Sequence, residues 1–167
     1  MEEKELLDKA RQGNKHCLNL LLQNNYQMLY GFLIKLTGDK DLVQDTLLKA
    51  SLNTTKFRGE SKFSSYLIKT GINTHKNYLR KNKIRTEHDD FEFKTSYDME
   101  DDLINHIRFK EALNHLNNMS YEKRISFILK HYYGYSIEEI SEILKVSQGT
   151  TKSRIHNTIK KLRELLS

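Results

Sequence analysis

Polar and basic side chains recur with helical spacing near the C-terminus of the chain. At about 100° per residue, they share one face of a segment that runs from about Gly149 to Leu165. The members of this face are Lys152, Ser153, His156, Asn157 and Lys160. Amides, hydroxyls and imidazoles hydrogen-bond base edges in the major groove, and ammonium groups bind phosphates. These residue types therefore indicate nucleic-acid recognition.

The element that would position these groups has the pattern of a helix-turn-helix. Ser136 followed by Glu139 is typical of a capping box that opens a first, short helix. Residues 145–147 form the predicted turn, with Ser147 as the N-cap of the second helix. The predicted packing face of that helix consists of Thr151, Ile155, Thr158, Leu162 and Leu165. A helix-turn-helix inserts its second helix into the major groove, whereas an ordinary helical hairpin would leave the same charged face in solvent.

Composition restricts the classes of protein to which the chain can belong. It has 167 residues, a mean hydropathy of −0.71 and one cysteine, Cys17, so we expect a soluble cytoplasmic protein of two small helical domains. No apolar run is long enough to span a membrane, and direct membrane insertion is not expected. The histidines and acids have no metal-ligand spacing. We therefore predict no cofactor, no metal site and no catalytic residues.

Charge divides the chain into three parts. Residues 1–81 carry a net charge of +6, residues 82–102 carry −5, and residues 103–167 carry +5. The acidic part, EHDDFEFKTSYDMEDD, lacks helical periodicity, which is typical of a flexible connection. The sequence therefore predicts an all-α fold with domains at 1–84 and 106–167, joined by an acidic linker at 85–105.

The first domain contains an acidic stripe on a predicted helix. The apolar stripe of the preceding helix stops at Gly38, and Asp39 or Asp41 starts the next one. On the side opposite its apolar residues, that helix carries Asp41, Gln44, Asp45 and Leu48. In a chain of net charge +6, such a stripe indicates docking to a basic protein surface, although a solvated helix face has the same composition.

A basic block with interleaved aromatic residues follows the acidic stripe. Seven lysines and arginines and no acids occur between residues 61 and 86. The aromatic residues are Phe57, Phe63, Tyr66 and Tyr78, and the amides are Asn73 and Asn77. Cations with rings and amides are the groups that bind single-stranded nucleic acid. We expect Phe63, Tyr66 and Leu67 to be core residues and Phe57, in a predicted loop, to contact a base.

Three segments in this order carry a family resemblance. They are LTGDKDLVQDTLLKA, FRGESKFSSYLIKTGINTHKNYLRK and YGYSIEEISEILKVSQGTTKSRIHNTIKKLRELL. The chain resembles bacterial sigma factors of the extracytoplasmic-function type, the two-domain members of the sigma-70 family. The resemblance covers nearly the whole chain outside the linker.

The resemblance implies partners and roles for particular residues. It implies docking on the clamp helices of the largest catalytic subunit of RNA polymerase through Asp41, Gln44, Asp45 and Leu48. It implies that the non-template strand of the minus-ten promoter element, with one base flipped out, contacts Lys56, Phe57, Arg58, Ile72, Asn73, Asn77 and Arg80. It implies that the minus-thirty-five element is read as duplex by Thr150, Lys152, Ser153, Arg154, His156, Asn157 and Lys160. An anti-sigma protein, which could hold the chain at the membrane, is a further expected partner.

Two other classes of function fit the sequence less well than a sigma factor. A helix-turn-helix regulator that works without polymerase would need neither the acidic stripe nor the basic, aromatic block. A nucleic-acid enzyme would need metal-binding carboxylates or a nucleophile, whereas the dense acids of this chain have no ordered spacing. The sequence therefore favours a promoter-specificity factor without an active site of its own.

Overall fold

The computed structural model describes residues 1–82 and 103–166, and within these ranges all regular secondary structure is helical. In chain order the helices are α1 (Glu3–Arg11), α2 (Lys15–Thr37), α3 (Lys40–Asn53), α4 (Phe63–Asn82), α5 (Leu103–Leu116), α6 (Tyr121–His131), α7 (Ile137–Leu144) and α8 (Gln148–Leu166), with a 3-10 turn at Thr54–Lys56. The chain divides into two compact units, Met1–Arg85 and Thr86–Ser167. The predicted all-α fold class is confirmed.

The first unit packs around α2, which contacts α1, α3 and α4. The predicted leucine stripe of this helix is confirmed at Leu21, Leu29 and Leu33, which are completely buried. The helix ends at Gly38, whose left-handed backbone and N–H bond to the Ile34 carbonyl close the last turn. Asp39 then caps α3, because its carboxylate accepts a hydrogen bond from the Asp41 backbone N–H at 2.9 Å. The Gly38 C-cap and the Asp39 N-cap together set the residue at which α3 begins.

The second unit packs α8 against α5, α6 and α7. The predicted capping box is confirmed: the Glu139 N–H donates to the Ser136 hydroxyl, and the Ser136 N–H donates to the Glu139 carboxylate. Lys145 takes a left-handed conformation, with φ 54°, and closes the turn between α7 and α8. A buried hydroxyl pair, Ser141 and Thr151 at 2.8 Å, joins the two helices and fixes their approach.

Two boundary predictions differ from the structure. The sequence predicts Leu165 on the packed face of α8, but its side chain is 43% exposed, and burial along the helix ends at Leu162 because all of residues 163–166 are exposed. Residues 103–105, which were assigned to the linker, are the first turn of α5. The remainder of the predicted linker, residues 85–102, lies outside the described residues. Within residues 1–82 and 103–166, no helix combines the length and apolar character that a membrane crossing requires.

Lys35 is a buried cation in the first unit, and its burial predicts a pH-dependent stability. Its ammonium group donates to the Gly31 carbonyl oxygen at 3.4 Å. Burial lowers the pKa of Lys35 from 10.5 to about 8. Below pH 8 Lys35 is charged in both the folded and the unfolded state, so the free-energy cost of burying the charge is fully present. This cost disappears as the pH rises toward 10.5, where Lys35 becomes neutral in the unfolded state as well.

We expect Lys35→Met to raise the melting temperature of the protein at pH 7, with a smaller increase at pH 10. Thermal unfolding followed by circular dichroism at both pH values measures this difference. Lys49→Met, at an exposed lysine of α3, is the matched control and should change little at either pH. An equal increase in melting temperature at pH 7 and pH 10 would show that the charge of Lys35 does not cause the destabilisation.

Candidate nucleic-acid and protein interfaces

The predicted acidic stripe lies on the solvent side of α3. Leu42, Val43, Thr46 and Ala50 bury the opposite side of the helix against the first unit. All four stripe residues, Asp41, Gln44, Asp45 and Leu48, are exposed. The structure therefore brings them together on one accessible face whose carboxylates can attract a basic partner.

An apolar pair at the end of this stripe includes a residue that the sequence reading missed. Leu48 is 59% exposed, and Leu52, one turn later, is 71% exposed. Two leucines at i and i+4 on a solvent-facing helix side form a small apolar surface next to the acidic one. The helical spacing from Leu48 was the signal that could have identified Leu52. The α3 face thus combines charge for attraction with apolar area for burial.

A groove of about 370 Å³ opens where the 3-10 turn, the following loop and α4 meet. Its lining residues are Asn53, Lys56, Phe57, Arg58, Glu60, Ser61, Tyr66, Lys69, Thr70 and Asn73. The Phe57 ring stacks on Tyr66, with centroids 4.7 Å apart, and meets Phe63 edge-on at 6.0 Å. Aromatic walls beside cations and an amide are suited to an unstacked base and its phosphates.

Tyr66 is half-buried and lines this groove, so its assignment to the core was only partly right. Its hydroxyl donates to the Ala50 carbonyl oxygen at 3.0 Å, which fastens α4 to α3. Burial raises the pKa of the Tyr66 phenol, so the hydroxyl remains a donor at neutral pH. The hydrogen bond fixes the ring, and the fixed ring supports Phe57.

Ile72 is the one predicted DNA-contact residue of this unit whose side chain is buried in the structure. Its side chain is 2% exposed and belongs to the core, so a base cannot reach it. The prediction is wrong because Ile72 falls on the inner face of α4, while the adjacent Asn73 faces outward. Asn77 and Arg80 are also exposed, one and two turns beyond Asn73 on the same side of α4. Lys56, Phe57, Arg58 and Asn73 are brought together in the groove.

Lys69 and Thr70 also line the groove and were missed by the sequence reading. They precede Asn73 by four and three residues, so helical spacing from that amide was the available signal. Asn53, the last residue of α3, was not detectable in this way, because it reaches the groove only through the packing of α3 against α4. Lys69 adds a cation beside the amide of Asn73.

The predicted reading face of α8 is exposed. Lys152, Ser153, His156, Asn157 and Lys160 face solvent, while Thr150 and Arg154 are half-buried. The Asn157 amide lies 3.5 Å from the Ser153 hydroxyl, one turn earlier on the same ridge. Thr151, Ile155, Thr158 and Leu162 are buried on the opposite side, as predicted. Ser147 caps the helix, because its hydroxyl accepts a hydrogen bond from the Thr150 N–H at 3.1 Å.

A second, shallow groove of about 350 Å³ runs along the C-terminal half of α8. His156, Lys160 and Arg163 line it, together with Ile159 and Glu164. Positions 156, 160 and 163 have i, i+4, i+7 spacing, so they continue the basic side of α8 for two turns. Arg163 was missed, although this spacing from His156 could have revealed it. The cations along this ridge are suited to phosphates rather than to bases.

Comparison with known proteins identifies both units. The sigma-70 region 2 family model matches residues 21–84, and the sigma-70 region 4 model matches residues 109–162. The chain is 30% identical to the ECF RNA polymerase sigma factor EcfG of Rhodopseudomonas palustris over 142 residues, 83% of this chain and 78% of that protein. It is 27% identical to the ECF RNA polymerase sigma-E factor of Haemophilus influenzae, over 93% of this chain and 90% of that protein.

Solved structures agree with these sequence matches. The sigma factor RpoE of Bartonella quintana, in complex with the anti-sigma factor NepR, superposes with a TM-score of 0.70 at 27% identity, over 89% of this chain and 95% of that one. CnrH, in complex with the cytosolic domain of CnrY, superposes with a TM-score of 0.71 over 98% of this chain and 96% of that one. At 20% identity, CnrH supports the fold alone. The sequence and structure matches together make the chain a member of the sigma-70 family, of the extracytoplasmic-function type.

Proposed function

We propose that this sigma factor directs core RNA polymerase to specific promoters and helps to open them. The observation that carries the proposal is the groove between the Phe57 loop and α4, in a chain that also has an exposed helix-turn-helix. Promoter recognition requires a helix that binds duplex DNA, and promoter opening requires a groove that binds the unstacked bases of the separated strand. The proposed functional domains are residues 1–84 and 106–167.

In this proposal α3 binds RNA polymerase. The surface that α3 contacts is the pair of clamp helices of the largest catalytic subunit, and the docking residues are Asp41, Gln44, Asp45 and Leu48. Leu52 extends the same face by one turn. The carboxylates guide the encounter and the leucines contribute buried apolar area, a division that is common in protein interfaces.

The groove in the first unit captures the non-template strand of the minus-ten element. Lys56, Arg58 and Lys69 supply cations for phosphates, Phe57 supplies a ring for stacking, and Asn73 supplies an amide for a base edge. Asn77 and Arg80 continue the contact along α4. Flipping a base out of the duplex costs a few kcal/mol, so contacts made only with the separated strand favour opening.

The second unit reads the minus-thirty-five element as duplex. In a helix-turn-helix, residues near the N-terminus of the second helix reach base edges, while residues farther along contact the backbone. Lys152, Ser153, His156 and Asn157 are the base readers in this proposal. Thr150 and Arg154, which are half-buried, and Lys160, which lies farther along the helix, bind phosphates. We also propose an anti-sigma protein as a regulatory partner, since RpoE, a relative at 27% identity, was solved in complex with the anti-sigma factor NepR.

A helix-turn-helix regulator that works without polymerase is not favoured. A regulator of this kind would not be expected to match sigma-70 region 2 over residues 21–84. It would also not need a groove suited to single-stranded DNA. Co-purification separates the two possibilities. A sigma factor should elute with core polymerase at a one-to-one ratio, whereas the regulator should elute alone as a stable homodimer and bind promoter duplex in that form.

Asn73→Ala should reduce promoter opening without reducing closed-complex formation. The amide lines the groove and is exposed, so its loss removes base contacts that exist only after the strands separate. One lost hydrogen bond corresponds to about three- to tenfold less open complex. Permanganate reactivity of unpaired thymines measures the bubble, and gel retardation measures the closed complex. Asn24→Ala, at an exposed asparagine of α2, is the matched control. An unchanged bubble would remove Asn73 from strand capture.

A further inference from the structure

The N-terminal helix α1 precedes the residues that match sigma-70 region 2, which begin at residue 21. Leu6, Leu7 and Ala10 bury one side of α1 in the first unit. Besides α2, the helix packs against the 3-10 turn Thr54–Lys56. That turn leads directly into Phe57 and Arg58, so α1 packs against the segment from which two groove residues extend.

Two contacts connect α1 to the loop and helix that form the groove. The Glu3 carboxylate accepts a hydrogen bond from the Phe63 backbone N–H at 3.3 Å, across 60 residues of sequence. Leu7 lies beneath Gly59, because a Cβ atom added to that glycine would stand 3.6 Å from the Leu7 Cδ2 atom. Gly59 has φ +78°, a conformation that residues with side chains rarely adopt. The two contacts fall on either side of residues 60–62.

The Glu3 carboxylate supplies a hydrogen-bond acceptor and a negative charge at the N-terminus of α4. The first N–H groups of a helix have no partner within the helix, and its N-terminal end attracts negative charge. Lys62, the residue immediately before α4, has no acceptor atom in its side chain and carries the wrong charge for a cap. Glu3 therefore acts as a cap contributed by a distant part of the chain. By holding Phe63, it also restrains the ring that Phe57 contacts.

We propose that α1 positions the groove for the captured strand, with Glu3 fixing the start of α4 and Leu7 supporting the loop at Gly59. The proposal rests on the strand-capturing function proposed above. Glu3 and Leu7 are positioning residues, and neither contacts DNA. A loop fixed at two points loses less conformational entropy when it binds a strand than a loose one does. Loss of either contact should weaken strand capture and leave polymerase docking on α3 unchanged.

The test compares retention of two DNA probes by holoenzyme reconstituted from the full chain and core polymerase. One probe is a fork with a single-stranded minus-ten element, and the other is a duplex containing only the minus-thirty-five element. Glu3→Ala should lower affinity for the fork by up to about fivefold, the factor that corresponds to the roughly 1 kcal/mol of one helix cap if all of it holds the binding geometry. Affinity for core polymerase and for the duplex should stay within about twofold of wild type. Glu3 is exposed, so folding is not at risk, and circular dichroism checks this.

Two further variants separate capping from other effects. Glu3→Gln keeps an acceptor oxygen and should recover most of the fork affinity. Glu2→Ala removes a neighbouring acid that makes no side-chain cap and should behave as wild type. The proposal is overturned if Glu3→Ala retains the fork as wild type does, if it loses core affinity to the same extent, or if Glu3→Gln is as weak as Glu3→Ala. Failure of the proposed function looks different, because wild-type protein would then bind neither core polymerase nor the fork.

Discussion

Holoenzyme assembly should weaken by about tenfold or more when Asp45 is changed to arginine and Gln44 to alanine. Both residues are exposed on α3, and the buried side of that helix is unaffected by the change. If α3 docks on a basic surface, as we propose, a cation at this position turns attraction into repulsion, which costs several kcal/mol in tight interfaces. Titration of fluorescently labelled protein with core polymerase measures the affinity, and helical content should be unchanged.

A matched control separates the acidic stripe from the net charge of the protein. Asp8→Arg reverses an exposed acid on α1 and changes the net charge by the same amount. It should bind core polymerase with nearly wild-type affinity. Equal losses in the two proteins would mean that net charge alone governs binding. Wild-type affinity of the α3 variant would mean that the stripe has no part in docking.

The base preference of the second unit should change when Asn157 is replaced by arginine. Asn157 is exposed on the same ridge of α8 as Ser153. A bidentate asparagine selects adenine and a bidentate arginine selects guanine, with about 1 to 3 kcal/mol at stake per well-made pair. In a selection from promoters with a randomised minus-thirty-five element, guanine should become enriched at one or two adjacent positions. The preferred minus-ten sequence should stay the same.

Two neighbouring substitutions make this experiment specific. Lys160→Ala removes a proposed phosphate contact, so it should weaken all minus-thirty-five sequences about equally and lower the salt dependence by about one phosphate equivalent. His156→Ala tests the other exposed reader on the same face. If Asn157→Arg raises affinity for every sequence alike, Asn157 faces the backbone. Base reading would then belong to Lys152 and Ser153.

Features that depend on short segments were predictable from the sequence. The end of α2 at Gly38 and the Ser136–Glu139 capping box are local patterns, and each stands where the sequence placed it. The sequence left Asp39 and Asp41 as alternative starts of α3, and the structure has Asp39 as the cap. The exposed faces of α3 and α8 followed from helical periodicity, since each helix needs only one buried side. Local capping and periodicity therefore predict most of the residues that we propose for these two faces.

Features that depend on contacts between helices were not predictable in this way. Ile72 and Asn73 are adjacent in α4, and only packing against the other helices decides that Ile72 is the buried one. Gly71 is a poor helix former by propensity, but a Cβ atom there would stand 2.9 Å from Leu33 Cδ2, so the close approach of α4 and α2 accounts for it. The Glu3 contact with Phe63 spans 60 residues and has no local signature at all.

Transcription by reconstituted holoenzyme tests the central claim most directly. Core polymerase is incubated with fragmented genomic DNA, with and without the purified full chain, and the 5′ ends of the run-off transcripts are sequenced. The account predicts discrete start sites that appear only when the chain is added, preceded by shared minus-ten and minus-thirty-five sequences. It also predicts that these sites fade with the α3 variant at Gln44 and Asp45. The account is contradicted if the chain adds no start sites and instead binds promoter duplex alone as a homodimer.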